Sequence, residues 1–283
     1  MGSYISITQL KEFADCPHRF YLKRIKRVKE KQINSSLILG SAVHEAAELI
    51  AQNDKRPEEK DFKKLYDNKL KEYQEKDCLI DYGDWSSYED EIRDGTEMVQ
   101  TYYNIHWEGS LEIVANEVSG LVSIPGFSKP LYVGIDFLID GPNGFVLGDI
   151  KTGKSGPTQH FLRNDLQLNA YVYGLKHGKS IVSYSNLSEN KKTSKFFGKK
   201  IDSVCILNLR DKVSKKKPWH STDLWYWEEL DPKQDDSIYI ENIIKVWKAL
   251  DLAKEHDLWY KHTGATTNSP CQMCPYRIQG DCK

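Results

Sequence analysis

Two oppositely charged side chains lie two positions apart at the end of a predicted strand, within the segment Gly148-Asp149-Ile150-Lys151-Thr152-Gly153. The apolar run 145–147 precedes them and glycines bound them, which is typical of a short strand that ends in a loop. Because side chains alternate along a strand, Asp149 and Lys151 are expected on one face and Ile150 on the other. A carboxylate and an ammonium group in that arrangement could hold a divalent metal ion and position a water molecule.

A second carboxylate is expected nearby in the same predicted sheet. Asp136 ends the apolar run 131–135 and precedes Asp149 by thirteen residues. An Asp-x-Lys pair by itself is more often a solvated ion pair at the surface. The second carboxylate at a strand end therefore favours a binding site. Glu117, on the strand before Asp136, is a secondary candidate for the same site.

The overall composition is that of an ordinary folded protein. A chain of 283 residues can bury a sizeable core, and its 39% hydrophobic and 29% charged residues are typical of globular domains. No apolar run approaches the roughly 20 residues that span a bilayer. The first residues lack a basic region followed by an apolar one, so the sequence predicts no secretory signal and an intracellular, cytoplasmic location.

The charge distribution gives a limited argument for nucleic acid binding. The formal net charge of −1 does not favour an anionic partner. Basic residues nevertheless cluster at 23–31, 191–200 and 215–217. Each cluster is compatible with a solvated surface, whereas together they could form one phosphate-binding track.

The order of the predicted elements favours a single domain over 1–283. Residues 1–107 are predicted to be mainly helical, and they carry Cys16 and His44. Residues 108–260 are predicted to form an α/β core, and 261–283 form a cysteine-rich tail. Helices followed by a sheet with flanking helices indicate an α/β or α+β fold.

Local signals predict where the elements lie. Ser6 and Gln9 have the spacing of a capping box, so a first helix is expected directly after Ser6. Helical periodicity and period-two alternation between turn residues predict the other elements. The predicted helices are 39–50, 57–77, 88–107, 165–177 and 237–256, and the predicted strands are 111–118, 121–124, 131–139, 145–150, 203–209 and 224–227.

Four motifs in a fixed order resemble the RecB-type branch of the PD-(D/E)xK nuclease superfamily. They are Gly40-x3-His44 and Gln167-x3-Tyr171 on predicted helices, and Gly134-x-Asp136 and 148–153 at predicted strand ends. The resemblance extends from about Ile5 to the C-terminus. It implies a restriction-endonuclease-like fold, a mixed β-sheet flanked by helices, that cuts DNA with a divalent metal ion.

The chemistry of these residues agrees with the resemblance. Hydrolysis of a phosphodiester needs a hard cation that neutralises phosphate charge and lowers the pKa of the attacking water. Asp136 and Asp149 supply the oxygen ligands that such cations prefer. The resemblance adds the backbone carbonyl of Ile150 and the imidazole of His44 to the ligand set. Imidazole suits Mn²⁺ better than Mg²⁺, so His44 predicts strong support of activity by Mn²⁺.

The remaining candidate residues would act on the water or the substrate. Lys151 is expected to orient or activate the water, with a pKa lowered by nearby metal ions. The resemblance places Gln167 and Tyr171, which share a helix face, beside the active site, where they contact substrate or fix the lysine. Arg163 would extend that stripe as a secondary residue. Taken alone, a helical histidine such as His44 is more often structural.

Three of the six cysteines crowd into the end of the chain as Cys271-x2-Cys274-x7-Cys282. In an intracellular chain this clustering indicates a metal site rather than disulfides. With Cys16 as a fourth ligand, the pattern resembles the iron–sulfur members of the same family, which include AddB-type helicase-nucleases and CRISPR-associated exonucleases. The resemblance implies a 4Fe–4S cluster that joins the two ends of the chain. The spacing alone leaves a structural Zn²⁺ site open, because Zn²⁺ also takes four thiolates.

The resulting prediction is a metal-dependent DNA exonuclease that acts on single strands or DNA ends, in DNA repair, recombination or processing. Two alternatives stay open: a nuclease subunit of a larger helicase or CRISPR-adaptation-type complex, and a non-catalytic DNA-binding module of the same fold. The intact set of Asp136, Asp149 and Lys151 argues against the module, because charges held together at a site are costly to maintain. A Walker motif is absent from the sequence, so no motor is predicted within it.

Overall fold

The computed structural model describes most of the chain. The described residues are 3–53, 55–83, 86–109, 112–153, 156–210, 216, 218, 222–231, 233–261, 271 and 274–282. Lys215 and Lys217 of the third basic cluster lie outside these residues, as does part of the predicted tail.

A mixed sheet of seven strands forms the centre of the fold. Its strands run in the order β7-β4-β5-β6-β8-β9, and β1 pairs in parallel with β5. A separate pair of short parallel strands, β2 and β3, lies outside it. The strands are β1 (Ile5–Ser6), β2 (Gln32–Asn34), β3 (Leu79–Asp81), β4 (Ile113–Val122), β5 (Leu131–Asp140), β6 (Phe145–Lys151), β7 (Lys179–Ser180), β8 (Ile201–Asn208) and β9 (Trp225–Glu229).

Helices surround this sheet, as predicted from the sequence. They are α1 (Ile7–Asp15), α2 (Pro17–Phe20), α3 (Ser35–Gln52), α4 (Glu59–Gln74), α5 (Tyr88–Tyr103), α6 (Gln159–Asn164), α7 (Leu166–His177), α8 (Ser237–His256) and α9 (Pro275–Ile278). Two short π-helical turns, Tyr21–Ile25 and Asn104–Glu108, continue α2 and α5. None of the helices in the described part of the chain is long and apolar enough to cross a membrane.

Two apolar cores lie against the sheet and fix the helices to it. One core joins the central strands to α1, α7 and α8, with Leu10, Leu175 and Ile243 fully buried. The other joins the strands to α3, α4 and α5, with Leu39 and Met98 fully buried. This mixed sheet flanked by helices is the restriction-endonuclease-like α/β fold that the sequence predicts.

The N-terminal part is less purely helical than predicted, because it also contributes strands. The capping box is present: Ser6 Oγ accepts from the Gln9 backbone N–H at 3.2 Å, and Gln9 Oε1 accepts from the Ser6 N–H at 2.9 Å. Directly before it, β1 pairs Ile5 with Leu131 and Ser6 with Tyr132. The start of the chain is thereby fixed to β5, the strand that carries Asp136.

Two predicted boundaries need correction. The separate strands predicted at 111–118 and 121–124 form the single strand β4, because the pairing with β5 runs through Ser119 and Gly120 without a break. The helix predicted over 165–177 begins at Leu166, since Asp165 has extended backbone angles and caps α7 with its side chain.

Candidate metal centre and catalytic site

The register of β5 and β6 brings Asp136 and Asp149 together. These strands are antiparallel, with Phe137 opposite Gly148, and one further step along the register sets Asp136 opposite Asp149. The ring of Phe137 lies over Gly148, where a Cβ atom would be 2.0 Å from its Cε2 atom. Only glycine permits this close approach, which explains why a glycine directly precedes Asp149.

Asp136 is held by a backbone donor and by a histidine. Its Oδ2 atom accepts a hydrogen bond of 2.6 Å from the backbone N–H of Ile150, and it lies 3.5 Å from Nδ1 of His44. The Asp136 side chain is only 12% exposed. One carboxylate oxygen therefore links β5, β6 and α3.

Asp149 is more deeply buried and is paired with Lys151 as the sequence predicts. Its side chain is 2% exposed, and the Lys151 Nζ atom lies 2.6 Å from its Oδ2 atom. Its other oxygen, Oδ1, accepts a hydrogen bond of 3.0 Å from Nε2 of Gln167. Oδ1 of this buried carboxylate thus accepts a hydrogen bond, whereas Oδ2 lies in the ion pair with Lys151 and accepts no hydrogen bond from the described residues.

The position of His44 depends on how closely α3 approaches the loop after β6. At Gly40, one turn before His44, an added Cβ atom would lie 3.2 Å from Oγ1 of Thr152. The motif Gly40-x3-His44 therefore has a steric reason: the glycine lets the helix approach, and the next turn presents the imidazole. The side chain of His44 remains 35% exposed, so a ligand from solvent can reach it.

Glu117 lies among the candidate metal ligands, although the sequence predicts only a secondary role for it. Ligand atoms of His44, Glu117 and Asp136 all lie within 4.8 Å of one another, and no other such group of metal-binding side chains occurs among the described residues. The backbone of Glu117 has a φ of 50°, a left-handed conformation that is rare for a non-glycine residue within a strand. This distortion of β4 marks Glu117 in the structure, but the spacing of residues in the sequence does not predict it.

A surface cavity of about 450 Å³ opens beside this group. Its lining includes His44, Glu117 and two further acids of α3, Glu45 and Glu48. Lys69 also lines this cavity and pairs with Glu45 at 2.7 Å, so the acids at the mouth of the centre are partly neutralised.

The acids and the histidine shift one another's protonation. Burial alone would lower the pKa of His44, but the charges of Asp136, Asp149 and Glu117 raise it to about 9. Desolvation of the carboxyl group and repulsion by Asp136 raise the pKa of Glu117 to about 8. Burial and the charge of Asp136 raise the pKa of Asp149 to about 6. At neutral pH the centre thus holds protons that a bound cation would displace.

Asp136 and Lys151 stay ionised in the same surroundings. Burial disfavours the charge on Asp136, but His44, the N–H of Ile150 and Lys151 outweigh it and lower the pKa of Asp136. Burial likewise disfavours the charge on Lys151, yet Asp149 and Asp136 raise its pKa. Without a metal ion, the shift in the pKa of Lys151 is thus opposite to the lowering expected when metal ions lie nearby. A cation that neutralised the two carboxylates would remove the cause of the rise.

Gln167 and Tyr171 share a face of α7, as their spacing predicts, and they lie beside Asp149. The amide of Gln167 donates to Asp149 and also to the hydroxyl of Tyr171. Tyr171 is buried, and its pKa is raised well above the usual value by burial and by the charges of Asp149 and Asp136. The tyrosine therefore remains protonated and supports the Gln167 amide.

The structure adds Lys11 and Asp165 to this network, and the sequence analysis missed both. Nζ of Lys11 donates to Oε1 of Gln167 at 3.2 Å and to Oδ2 of Asp165 at 3.0 Å. Asp165 Oδ1 accepts from the backbone N–H groups of Gln167 and Leu168 and so caps α7. Lys11 lies on α1, more than 150 positions from its partners. No local pattern could connect it to them.

Arg163 does not extend the stripe of Gln167 and Tyr171. It lies on α6, which is separate from α7, and its side chain is 65% exposed. Nε of Arg163 donates to Glu228 of β9 at 2.7 Å. The break at Asp165 turns the arginine away from the helix face that its spacing suggested.

The four cysteines predicted to form a cluster line one small cavity. Cys16 and Cys274 are buried, while Cys271 and Cys282 are partly exposed, and all six cysteines of the chain are free thiols. Cys78 and Cys205 lie elsewhere, in the core beneath α3 and α5. The fold thus brings cysteines from near the two ends of the chain to the wall of one cavity.

Polar contacts fix the C-terminal segment to residues 28–31. The hydroxyl of Tyr276 donates to the carbonyl of Val28 at 3.1 Å, and the Gln279 side chain bonds the backbone at Lys29 and Lys31. Among the described residues, no three of these four thiols lie within 4.8 Å of one another.

Comparison with known proteins identifies the family. The family model for the PD-(D/E)XK nuclease superfamily matches residues 4–279. No curated protein matches the chain. Among solved structures, the crystal structure of SSO0001 is similar, with 12% sequence identity, a TM-score of 0.36, and coverage of 96% of this chain and 93% of that one.

Proposed function

Because the chain belongs to the PD-(D/E)XK nuclease superfamily over residues 4–279, we propose that it is a divalent-metal-dependent deoxyribonuclease. The observation that carries this proposal is the set formed by the buried carboxylates of Asp136 and Asp149, which face each other across β5 and β6, and by the partly exposed Lys151 at the end of β6. His44, a proposed metal ligand, reaches Asp136 from α3. Such a set is costly to bury unless a cation and an anionic substrate use it.

The residues fit a hard divalent cation such as Mg²⁺ or Mn²⁺. Asp136 and Glu117 offer carboxylate oxygens and His44 offers a nitrogen within 4.8 Å of one another, and the carboxylate of Asp149 and the carbonyl of Ile150 are further proposed ligands. His44 in the set favours Mn²⁺ alongside Mg²⁺. When bound, the cation would neutralise charge on the scissile phosphate and lower the pKa of the attacking water.

The protein residues around the centre would orient the attacking water. Lys151 Nζ, 2.6 Å from Asp149, is held where an ammonium group can donate to the water or to a phosphate oxygen. The side-chain amide of Gln167 donates to Asp149 and so fixes the orientation of that carboxylate. The hydroxyl of Tyr171 accepts a hydrogen bond from the Gln167 amide and remains protonated. Their common effect is a rigid carboxylate and lysine pair.

We propose DNA ends or single-stranded DNA as the substrate and exonucleolytic cleavage as the mode, in DNA repair, recombination or processing. The order of the motifs at His44, Asp136, Asp149–Lys151 and Gln167–Tyr171, which resembles the RecB-type branch, supports this choice. The same resemblance supports a helicase or another DNA-processing protein as a partner.

We further propose that Cys16, Cys271, Cys274 and Cys282 ligate a 4Fe–4S cluster. All four line one cavity, which supports a shared ligand. A tetrahedral Zn²⁺ site with Zn–S bonds of about 2.3 Å requires sulfurs about 3.8 Å apart. The thiols do not approach that closely as a group of three. A cluster that binds each thiolate through a different iron suits the wider spacing better.

The nuclease proposal is tested by digestion of labelled DNA with Mn²⁺. Wild-type protein is expected to degrade linear single strands labelled at either end and to spare closed single-stranded circles. Asp149→Ala and Lys151→Ala are expected to abolish digestion, while Asp140→Ala is a matched control, because Asp140 is exposed at the far end of β5. Equal digestion by the Asp149 and Lys151 variants would contradict the catalytic assignment, and cleaved circles would contradict the exonuclease mode.

The cluster proposal is tested by anaerobic purification followed by iron, sulfide and zinc analysis. We expect a brown protein with about four iron atoms per chain, in keeping with a 4Fe–4S cluster held by four cysteines. Cys16→Ser is expected to lose the iron, and Cys78→Ser is expected to retain it. A colourless protein with one zinc per chain would establish the zinc alternative instead.

A further inference from the structure

The second basic cluster of the sequence belongs to a surface that has no role in the site described above. Residues 179–200 run from β7 to the start of β8, and we call this segment the basic loop. It contains six lysines and a single acid, Glu189, and all of these side chains are exposed. The lysines are Lys179, Lys191, Lys192, Lys195, Lys199 and Lys200.

The positive charge of the basic loop is not neutralised by acids of the described residues. None of these lysines forms an ion pair with a described carboxylate. The first basic cluster differs, since Nζ of Lys23 lies 3.3 Å from an oxygen of Glu12 and 3.2 Å from one of Glu30. Arg24 in that cluster is also paired with Glu12. Free positive charge that is concentrated in one segment favours a polyanionic partner for the basic loop.

The backbone of the basic loop is fixed to the edge of the central sheet. Ser180 and Thr193 are joined by a hydrogen bond of 2.5 Å between their hydroxyl groups. The N–H of Ile181 donates to the carbonyl of Ser119 on β4 at 3.0 Å. Phe196 is buried in the core that joins the strands to α7. The lysines are therefore carried by a backbone with a defined place beside β7, the edge strand of the sheet.

Three tyrosines connect the basic loop to the strand that carries Asp136. Tyr184 of the loop is 65% exposed, and its backbone carbonyl accepts a hydrogen bond of 3.2 Å from the hydroxyl of Tyr4. The ring of Tyr4 packs against the ring of Tyr132, with 5.4 Å between their centroids. Tyr132 lies on β5 four residues before Asp136, and its hydroxyl reaches over Gly134, where a Cβ atom would be 3.2 Å away.

Electrostatic effects place the Tyr184 ring close to the metal centre as well. Burial raises the pKa of Tyr132, and Glu117 and Tyr184 add to the rise. The hydrogen bond with Glu45 raises the pKa of Lys69, and Tyr184 adds to that rise. Lys69 lines the cavity beside the metal centre. An exposed aromatic ring of the basic loop therefore lies beside this cavity.

We propose that the basic loop binds single-stranded DNA, with Lys191, Lys192 and Lys195 on phosphate groups and the ring of Tyr184 stacked on an unpaired base beside the metal centre. Lysines bind phosphates as point charges, and stacking on an aromatic ring accepts any base that is not paired. A duplex keeps its bases paired, so the exposed ring favours a single strand. This inference rests on the proposed nuclease function and names the surface that holds the strand leading to the cut.

A variant that combines Lys191→Gln, Lys192→Gln and Lys195→Gln tests the phosphate contacts. Binding of a fluorescent dT oligonucleotide is measured by anisotropy in EDTA over a range of salt concentrations. Each lost contact with a single strand lowers the slope of log affinity against log salt by about 0.7, so the slope should fall by about two. At about 50 mM salt the affinity should fall at least about tenfold.

The matched control removes the same charge from another surface. Lys245→Gln, Lys248→Gln and Lys254→Gln are combined on α8, which lies outside the basic loop. The salt dependence of this variant is expected to equal that of the wild type, because the effect depends on where the charge lies and not on the net charge.

Tyr184→Ala tests the stacked base. It should weaken binding of the single strand about five- to a hundredfold, whereas Tyr184→Phe keeps the ring and should bind like the wild type. Binding of the matching duplex should be the same for Tyr184→Ala and wild type, since its bases are paired. The backbone carbonyl that Tyr4 contacts is present in both variants. Tyr260→Ala is the control, because Tyr260 is 67% exposed, and it should leave binding unchanged.

The outcomes separate the two proposals. A wild-type protein that neither binds nor cuts DNA would overturn the nuclease function itself. Cleavage of DNA with the same salt dependence in the triple variant of the basic loop and in the α8 control would overturn only the basic loop. A loss in Tyr184→Ala that is equal for single strand and duplex, or no loss at all, would overturn the stacked base.

Discussion

The metal centre and the cysteine-lined lobe are held in the fold by different means. Around the metal centre, Asp136, Asp149 and Gln167 all have protein partners, and extensive apolar cores lie on both faces of the sheet. The cysteine lobe, which we define as Cys16, Leu22, Cys271 and 274–282, has a buried apolar cluster of only Leu22, Cys274 and Tyr276. The first region is organised before any ligand binds, whereas the second would depend on the proposed cluster.

This difference implies separate consequences for ligand loss. Removing a cation from the metal centre leaves a folded site with repelling acids and extra protons. Removing the proposed cluster from the cysteine lobe would break a connection between residues that are 255 positions apart in sequence (271 − 16 = 255). Activity should therefore depend most on the first region and stability on the second.

The largest expected effect is the loss of activity in Asp136→Asn. Asp136 contacts His44, Ile150 and the proposed cation at once, so the amide is expected to lower the rate of DNA cleavage by about a thousandfold. Thermal unfolding should shift little, because the change also relieves repulsion with Asp149. Asp140→Asn on the same strand is the control and should retain full activity.

The comparison would fail if Asp136→Asn unfolded the protein at the temperature of the assay. That outcome, seen by circular dichroism, would mean that the carboxylate is structural and that the two regions do not differ in kind.

Loss of the cluster should give the largest change in stability. For a cross-link that closes a loop of 255 residues, the chain-entropy model gives a free energy of unfolding about 5 kcal/mol higher than without the link (271 − 16 = 255). Cys16→Ser is therefore expected to lower the melting temperature by about 10 °C, as measured by calorimetry under anaerobic conditions. At low temperature the variant should still cleave DNA, since the metal centre has its own supports.

Cys78→Ala provides the control for that experiment. Cys78 is also buried but lies in the core beneath α3, so its truncation should cost about 1 kcal/mol and leave the iron content unchanged. Equal melting temperatures of Cys16→Ser and wild type would contradict a ligand-dependent lobe.

Short-range patterns predicted much of the fold and of the site. Asp149 and Lys151 were predictable because strand alternation and glycine punctuation are local. The capping box at Ser6 and Gln9 was predictable for the same reason. The α/β class followed from the order of helical and alternating segments.

Long-range and conformational features were not predictable. Lys11 reaches Gln167 across more than 150 positions, and nothing near Lys11 in the sequence marks it. The left-handed backbone of Glu117 has no signature in residue type, since glutamate is not a residue that favours this conformation. Arg163 was misjudged because spacing assumes a continuous helix, whereas Asp165 interrupts it.

The pH dependence of metal binding tests whether the metal centre is organised before its cation binds. In the metal-free protein the pKa of His44 is raised to about 9 and that of Glu117 to about 8, so both hold protons at neutral pH. A cation must displace both protons in order to bind. Each displaced proton makes the affinity for the cation rise about tenfold per pH unit, so the affinity should rise by up to about a hundredfold per pH unit below pH 8. Isothermal titration with Mn²⁺ in buffers of different ionisation enthalpy counts the protons released.

The stability of the metal-free protein should change in the opposite direction. A raised pKa means that the folded state favours the protonated form, so this contribution is fully present below the unfolded pKa values. It is lost as pH rises through about 8 for Glu117 and about 9 for His44. The melting temperature in EDTA should therefore fall from pH 6 to pH 9. A flat profile, with no proton release on binding of Mn²⁺, would remove these two residues from the ligand set.

The smallest expected effect concerns Lys11, which acts on the metal centre only through Gln167. Its ammonium group holds Oε1 of Gln167 and thereby turns the amide NH2 toward Asp149. Lys11→Met should lower kcat by about tenfold with little change in KM, and Lys11→Arg should restore part of the loss. Lys176→Met is the control. Lys176 lies on α7, the helix of Gln167, but away from Asp149, and its ion pair with Asp236 is about as exposed as that of Lys11 with Asp165.

A double-mutant cycle separates positioning from a merely structural role. If Lys11 acts through the Gln167 amide, Lys11→Met should cause no further loss of kcat in a Gln167→Ala background. If the lysine serves only to anchor Asp165 and the start of α7, the two losses should multiply and the melting temperature should fall with them. The first outcome would assign the orientation of a side chain in the metal centre to α1, an element whose neighbour in sequence, Cys16, belongs to the cysteine lobe. The two regions would then differ in what stabilises them while sharing one short segment that serves both.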